Sequence, residues 1–167
     1  LVLTKMGKQI DIICPSEKLY ENVSFLKEYD KIKNKVDFSN FNFLKYDIFI
    51  TLDSSSWDMV SSDPNLSLPN INIIVIDHHH TNKNYGEINL VDKKAAATGE
   101  MLYLIFSDWK VVIDGDTSTA LLAGIIGDTG IFKYPNTTER TFDVAYQLIK
   151  KNADKDLIIA NIYRSID

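Results

Sequence analysis

The sequence predicts an α/β fold in which a mostly parallel sheet is flanked by helices and followed by a helical C-terminal part. Two stretches of apolar and β-branched residues, YDIFITLD at 46–53 and IIVID at 73–77, have the composition of strands buried on both faces. A predicted short helix at 57–61 and a Pro/Asn/Ser loop at 62–70 connect them, which fits neighbouring strands of one parallel sheet. From residue 95 onward the apolar spacing is mainly helical, which predicts the helical C-terminal part.

Length and composition predict one domain and narrow the classes of ligand. The chain has 167 residues, of which 45% are hydrophobic, enough for one substantial core. Its single cysteine, Cys14, excludes an internal disulfide, and no stretch has the length and apolarity of a membrane span, so we expect a cytoplasmic protein with no membrane partner. The net charge of −5 argues against a basic surface for duplex DNA. A short anionic ligand held through metal ions remains compatible, because bound cations reverse the local charge of an acidic site.

The first part of the chain predicts short elements. Residues 1–7 resemble the last turns of a helix with Gly7 at its C-cap, and we expect an earlier strand before that helix. A strand is predicted at 8–14, ended by Pro15, because QIDIIC alternates and then becomes apolar. A loose amphipathic pattern at 19–30 predicts a short helix, and a minor strand is expected at 35–38.

The second part predicts one strand and four helices. Residues 84–91 indicate an edge strand that follows a glycine turn. Apolar spacing, with Asp or Thr near most of the starts, predicts helices at 95–108, 116–127, 137–151 and 154–166.

Polar side chains follow three of the predicted buried elements. Asp53 ends one strand, Asp77 and His78–His80 end the next, and Asp128 ends the apolar helix at 116–127. Ligands of open α/β sheets bind outside the carboxyl ends of the strands, so we expect chemistry there. Carboxylates and imidazoles without thiolates favour Mn²⁺ or Mg²⁺, and several carboxylates can bridge two such ions. The alternatives are that Asp53 is only a helix N-cap and that the histidines form a surface loop.

Several motifs resemble those of the DHH phosphoesterase superfamily. They are LDSSS at 52–56, IDHHHTN at 76–82 and GIIGDTGIF at 124–132, in the order of that superfamily's second, third and fourth motifs. YGEINLVD at 85–92, AAATGEMLY at 95–103 and the segment at 134–154 look like the subgroup of bacterial oligoribonucleases (nano-RNases) and pAp phosphatases. The resemblance implies a DHH domain over residues 1–167. We expect it to lack the first motif, which contributes ligands to both metals, and the C-terminal substrate-binding domain.

The resemblance implies a role for each matching residue. Asp53 would bridge two Mn²⁺ ions, with Mg²⁺ as the substitute, and His78 and Asp128 would complete the shell of the second ion. His79 would hydrogen-bond the phosphate or the leaving oxygen, with a packed supporting histidine as the alternative. Asp77 would orient an imidazole or stabilise the strand end rather than bind metal, and His80 would lie outside the site.

The resemblance also implies roles for residues around the ligands. Phe132 and Tyr134 would stack on a base or sugar, although core packing is an equal alternative for Phe132. The supporting residues would be Thr98 and Glu100, which position the DHH loop, and Thr129 and Gly130, which shape the turn that presents Asp128.

The implied activity is hydrolysis of short oligoribonucleotides or pAp by a water activated between two metal ions. We expect the full-length protein to be the enzyme, with a homodimer as its candidate assembly, and this chain by itself to be impaired. Alternatives within the superfamily are a cyclic-dinucleotide phosphodiesterase, a RecJ-type exonuclease and a family II pyrophosphatase. A further alternative is a non-catalytic nucleotide-binding module.

Overall fold

A three-stranded parallel sheet lies at the centre of the fold, in the order β3–β4–β5. The computed structural model describes residues 1–16 and 18–162. The three strands are β3 (Ile48–Leu52), β4 (Asn72–Asp77) and β5 (Ile88–Val91). Leu52 is opposite Ile76, and Asp77 is opposite Val91. The carboxyl ends of all three strands therefore lie at one edge of the sheet.

The central strand β4 is buried as its sequence predicts, whereas β3 is not. Val75 in β4 is fully buried, and Ile73 and Ile76 are nearly so. In β3, however, Ile48, Ile50 and Leu52 are 39–48% exposed. Burial of β3 on both faces is therefore a wrong prediction. This strand lies at the edge of the three-stranded sheet, and its alternate residues share one exposed face.

The N-terminal part contains shorter elements than the sequence predicts. Helix α1 spans Val2–Lys5, and Gly7 follows it with a left-handed φ of 77°, as expected of a glycine after a helix. Strands β1 (Ile12–Ile13) and β2 (Ile32–Lys33) form a separate parallel pair.

Two of the elements expected in this part differ from what the sequence predicts. The helix expected at 19–30 is replaced by two short 3₁₀ turns, and the minor strand lies at 32–33 rather than 35–38. Glu28 has a left-handed φ of 70°, which interrupts any helix that would run through this region.

Helix α2 (Trp57–Ser61) lies at its predicted position and packs into an aromatic cluster. Phe38 is nearly buried at its centre, with Trp57 5.7 Å away between ring centroids. Phe43 and Phe49 pack around the same two rings. Leu66, from the predicted loop before β4, packs against the same cluster.

Four helices form the C-terminal part: α3 (Thr98–Asp108), α4 (Gly115–Asp128), α5 (Glu139–Lys150) and α6 (Lys155–Ile162). Helix α4 is central and packs against the other three, so Leu122 and Ile125 are almost completely buried. Asp114 caps α4, and a reciprocal pair of hydrogen bonds between Thr138 and Thr141 caps α5.

The predicted limits of these helices are close to the observed ones. The predicted helix at 95–108 begins only at Thr98, because residues 95–97 form a buried connection before it. Residues 163–166 of the last predicted helix lie outside the described residues. Among the described helices, none has the length and apolarity needed to cross a bilayer.

Candidate metal centre

Asp53 occupies the first position after β3 and turns its carboxylate out of the sheet. Its backbone has a left-handed φ of 58°, a conformation that Asp tolerates better than most residues. Its amide still donates to the carbonyl of Ile76, so the turn begins directly at the end of the sheet. The side chain is 47% exposed, and the Thr98 hydroxyl donates to its Oδ1 at 2.8 Å. A carboxylate held in this way is both accessible and oriented.

His78 follows β4 and has its ring fixed by a backbone contact. Nδ1 lies 3.2 Å from the carbonyl oxygen of Ala95, which can only accept, so Nδ1 carries a proton. The other nitrogen, Nε2, lies 3.3 Å from Asp53 Oδ1 and 3.5 Å from Asp128 Oδ2. A nitrogen lone pair that faces two carboxylates needs a cation between them, either a proton or a metal ion. The hydrogen bond to Asp53 accordingly raises the pKa of His78.

Asp128 is the last residue of α4 and reaches the same point from the opposite side. Burial and the neighbouring charge of Asp53 raise the pKa of Asp128, whereas the contact with His78 lowers that of Asp53. The turn that follows is held by the fully buried Thr129, whose hydroxyl donates to Ile125 O at 2.6 Å and accepts from Phe132 N at 3.0 Å. Gly130 continues this turn with a left-handed φ of 54°. Thr129 and Gly130 thus lie where the sequence places them, in the turn behind Asp128.

His79 and Asp77 form a pair beside these three ligands. His79 Nδ1 donates to Asp77 Oδ1 at 2.7 Å, and Asn82 Nδ2 donates to the other oxygen, Oδ2, at 2.6 Å. Burial raises the pKa of Asp77, but the hydrogen bonds from Asn82 and His79 outweigh it, and the net shift is downward. Asp77 is completely buried with both oxygens engaged, so it orients His79, and its geometry does not suit a metal ligand.

His79 lies closer to the other ligands than the sequence-based expectation places it. Potential ligand atoms of Asp53, His78 and His79 all lie within 4.8 Å of one another. The rings of His78 and His79 are 4.6 Å apart between centroids. His80, which we expect outside the site, is exposed.

The donor set fits a divalent cation. An imidazole nitrogen with its lone pair free and two converging carboxylates are ligands typical of Mn²⁺ and related ions. Asp53, His78 and Asp128, predicted as ligands, are thus brought together around one point.

The two predicted stacking residues have different environments. Phe132 stacks on Phe142 at 5.3 Å between ring centroids and packs against the helical core, in agreement with the core-packing alternative. Tyr134 is 56% exposed, and its ring lies over Gly130, where an added Cβ would come within 2.5 Å of it. Of the two, Tyr134 has the ring available to a ligand.

Glu100 supports the site from within the core. It is completely buried; Oε2 accepts from the Ala96 amide at 3.3 Å and from the Thr141 hydroxyl at 2.8 Å, and Oε1 accepts from Arg140 Nε at 2.5 Å. Glu100 therefore supports the loop at 78–80 indirectly: it binds the amide of Ala96, and the neighbouring carbonyl of Ala95 binds His78.

Three further residues that hold the site together, Asn82, Asn136 and Arg140, are not predicted from the sequence. Asn82 holds Asp77, and Arg140 joins Glu100 to Asp92 at the end of β5. Asn136 donates to the carbonyls of Ala96 and Asp128. Their only signal in the sequence is that they lie within or beside the motif-like segments at 76–82 and 134–154.

A family profile and two bacterial relatives match parts of this chain. The profile described as "DHH family, N-terminal domain" matches residues 1–125. A "probable bifunctional oligoribonuclease and PAP phosphatase" of Streptococcus mutans is 38% identical over 82 residues, which are 49% of this chain and 26% of that protein. A "bifunctional oligoribonuclease and PAP phosphatase" of Bacillus subtilis is 33% identical over 98 residues, 56% of this chain and 31% of that protein.

The fold itself is that of a solved structure. An exopolyphosphatase-related protein of Bacteroides fragilis superposes with a TM-score of 0.83 at 18% identity, over 98% of this chain and 49% of that one. At that identity the likeness concerns the fold alone. The matches to the two bacterial relatives span less than a third of their length.

Proposed function

This chain belongs to the DHH family, and from that membership we propose that it is part of a metal-dependent hydrolase that cleaves phosphate esters in short nucleotides. The observation that carries the proposal is the convergence of Asp53 and Asp128 on Nε2 of His78. The proposed substrates are short oligoribonucleotides and pAp, and they rest on the two relatives, whose names describe activity on these compounds. The net charge of −5 agrees with a short anionic substrate rather than with duplex DNA.

Asp53, His78 and Asp128 would hold one Mn²⁺ ion, with Mg²⁺ as the alternative. Asp53 has a second carboxylate oxygen with which it would bridge to a second ion. When bound, such cations lower the pKa of water and neutralise charge on phosphoryl oxygens. The hydrogen bond from His78 Nδ1 to the Ala95 carbonyl fixes the ring in one orientation, in which Nε2 would face a bound ion.

His79 is the proposed contact with the phosphate or with the leaving oxygen. Asp77 holds its Nδ1, so the ring presents Nε2 away from the strand. The side chain is 42% exposed, which leaves it accessible to a substrate. From this position the ring, when protonated on both nitrogens, would donate the Nε2 proton to a phosphoryl oxygen or to the leaving oxygen. Tyr134 would add a stacking surface for a base.

The test is hydrolysis of a diribonucleotide and of pAp by the full-length protein in Mn²⁺. Asp53→Asn and Asp128→Asn keep the shape of each side chain but remove a negative charge from the ion. We expect both variants to lose at least about 100-fold in kcat/KM, because even residues that only support a metal ligand are worth 10–100-fold. Each variant should keep the fold, which circular dichroism would check.

His80→Asn is the matched control for His78→Asn, since His80 belongs to the same histidine run but is exposed outside the site. We expect His78→Asn to abolish turnover and His80→Asn to leave it unchanged. Turnover at the unmodified rate in both Asp53→Asn and Asp128→Asn would refute the assignment of these side chains to the metal.

A further inference from the structure

One short segment contacts two of the three proposed ligands, Asp53 and His78. Residues 95–98, here called the support segment, connect β5 to α3. The carbonyl of Ala95 accepts from His78, and the hydroxyl of Thr98 donates to Asp53. Ala95, Ala96 and Ala97 are between 0% and 5% exposed, so the segment is packed in place. It holds two ligands directly, and the third, Asp128, lies on a different element.

Asn136 links the support segment to that third ligand. Its side-chain amide nitrogen lies 3.0 Å from the carbonyl oxygen of Ala96 and 3.1 Å from that of Asp128. A primary amide carries two hydrogens, so it can donate one to each carbonyl. Ala96 is completely buried, which gives one end of the bridge a fixed anchor. The other end is the backbone of the ligand itself.

We propose that Asn136 is a positioning residue that sets the distance between Asp128 and His78 by bridging the carbonyls of Asp128 and Ala96. This inference rests on the proposed cation site. A divalent ion needs its ligands at defined distances, and Asp128 is the last residue of its helix, so no further helical turn restrains its position. Without the bridge, the end of α4 is released from the support segment, and the ligands must be brought together again when the ion binds. The cost of that reorganisation appears in metal affinity.

The test measures Mn²⁺ binding by calorimetry in the full-length protein, well below the unfolding temperature of every variant. We expect Asn136→Ala to raise the Kd for Mn²⁺ by about tenfold, the lower end of the effect known for residues that support metal ligands. Asn89→Ala is the matched control. The Asn89 amide also makes two hydrogen bonds to the backbone, both to Gly86, at the far side of β5 from the site. It should lower stability without changing the Kd.

A double variant separates positioning from general destabilisation. If Asn136 acts through Asp128, adding Asn136→Ala to Asp128→Ala should weaken Mn²⁺ binding by clearly less than tenfold. An unchanged Kd in Asn136→Ala, an equal change in Asn89→Ala, or full additivity in the double variant would each overturn the inference. Unchanged Mn²⁺ binding in Asp128→Ala alone would instead overturn the proposed cation site.

Discussion

Replacement of Arg140 by methionine should destabilise the fold through a carboxylate that has no contact with solvent. Glu100 is completely buried, and Arg140 Nε donates to it at 2.5 Å. The same guanidinium donates to Asp92 at 2.8 Å, which joins helix α5 to the end of β5. In Arg140→Met the aliphatic contacts remain, but the buried Glu100 carboxyl loses the guanidinium and keeps the Thr141 hydroxyl and the Ala96 amide as donors.

The expected loss in the free energy of unfolding follows from the burial of each partner. Removal of one partner from a fully buried ion pair costs about 3–5 kcal/mol. Arg140 is 36% exposed, so water reaches part of the pair and the Glu100 contribution falls to about 2–3 kcal/mol. The pair with Asp92 is exposed to the same extent on both sides and adds less than about 1 kcal/mol. The total of about 3 kcal/mol lowers the Tm of a domain of this size by about 6–12 °C.

Urea unfolding at neutral pH measures this difference, with thermal unfolding as the second readout. Lys83→Met is the control, because Lys83 forms a surface ion pair with Asp58 at 3.1 Å and should show no measurable change. The double variant Glu100→Gln/Arg140→Met should be more stable than Arg140→Met, since the amide has no buried charge. A loss below about 1 kcal/mol in Arg140→Met, or a double variant that is less stable still, would refute this account of the pair.

Two further predictions concern the metal centre. The pKa values of His78 and Asp128 are raised, and both groups must lose their protons to bind Mn²⁺. The affinity for Mn²⁺ should therefore fall as the pH drops from about 8 to about 6. A pH-independent Kd would contradict this. In the metal-free protein the sign reverses, because protonated His78 pairs with Asp53 below its ordinary pKa, and that stabilisation is lost as the pH rises through the raised value. Thr98→Val removes the hydroxyl that holds Asp53 and should raise the Kd for Mn²⁺ about tenfold, measured by calorimetry. Thr117→Val, at a buried hydroxyl with no hydrogen-bond partner among the described residues, should leave the Kd unchanged. Equal values would refute the role of Thr98.

The sequence predicts the part of the fold whose signals are local. Long apolar runs identify β3 and β4, and caps and helical spacing identify α4 and α5, because each of these patterns is read within one element. The positions of Asp53 and His78 follow from the same logic, since strands of one parallel sheet end at one edge, whereas Asp128 ends a helix.

The two wrong predictions, a helix at 19–30 and burial of β3 on both faces, have a different physical origin. Residues 19–30 contain apolar residues at helical spacing, yet Glu28 takes a left-handed conformation, and the segment forms 3₁₀ turns instead. Packing of this region, including Phe25 and Leu26, against the helical core overrides a weak local preference. Exposure of β3 on one face depends on what covers the sheet, which no residue of the strand itself encodes.

The supporting residues were missed because their contacts join distant parts of the chain. Asn136 and Asp128 are eight positions apart, but Asn136 and Ala96 are separated by forty, and Arg140 reaches Asp92 over forty-eight. Such a bridge has no period and no fixed spacing, so a single sequence contains no pattern from which to predict it. Only the folded structure places the support segment next to the end of α4 and the residues that lead into α5.

The two aspartates that end neighbouring strands show why position in the sequence does not determine a role. Asp53 and Asp77 both follow apolar runs, yet Asp53 leaves the sheet through a left-handed turn and is 47% exposed in its side chain. Asp77 is still part of β4 and fully buried, and His79 and Asn82 use both of its oxygens. Since a bound cation requires a carboxylate oxygen that is free and accessible, the backbone conformation at the strand end suits Asp53 to the proposed ligand role and Asp77 to the support of His79. Asp77→Asn would therefore disturb the orientation of His79 while leaving the side chains of Asp53, His78 and Asp128 in place.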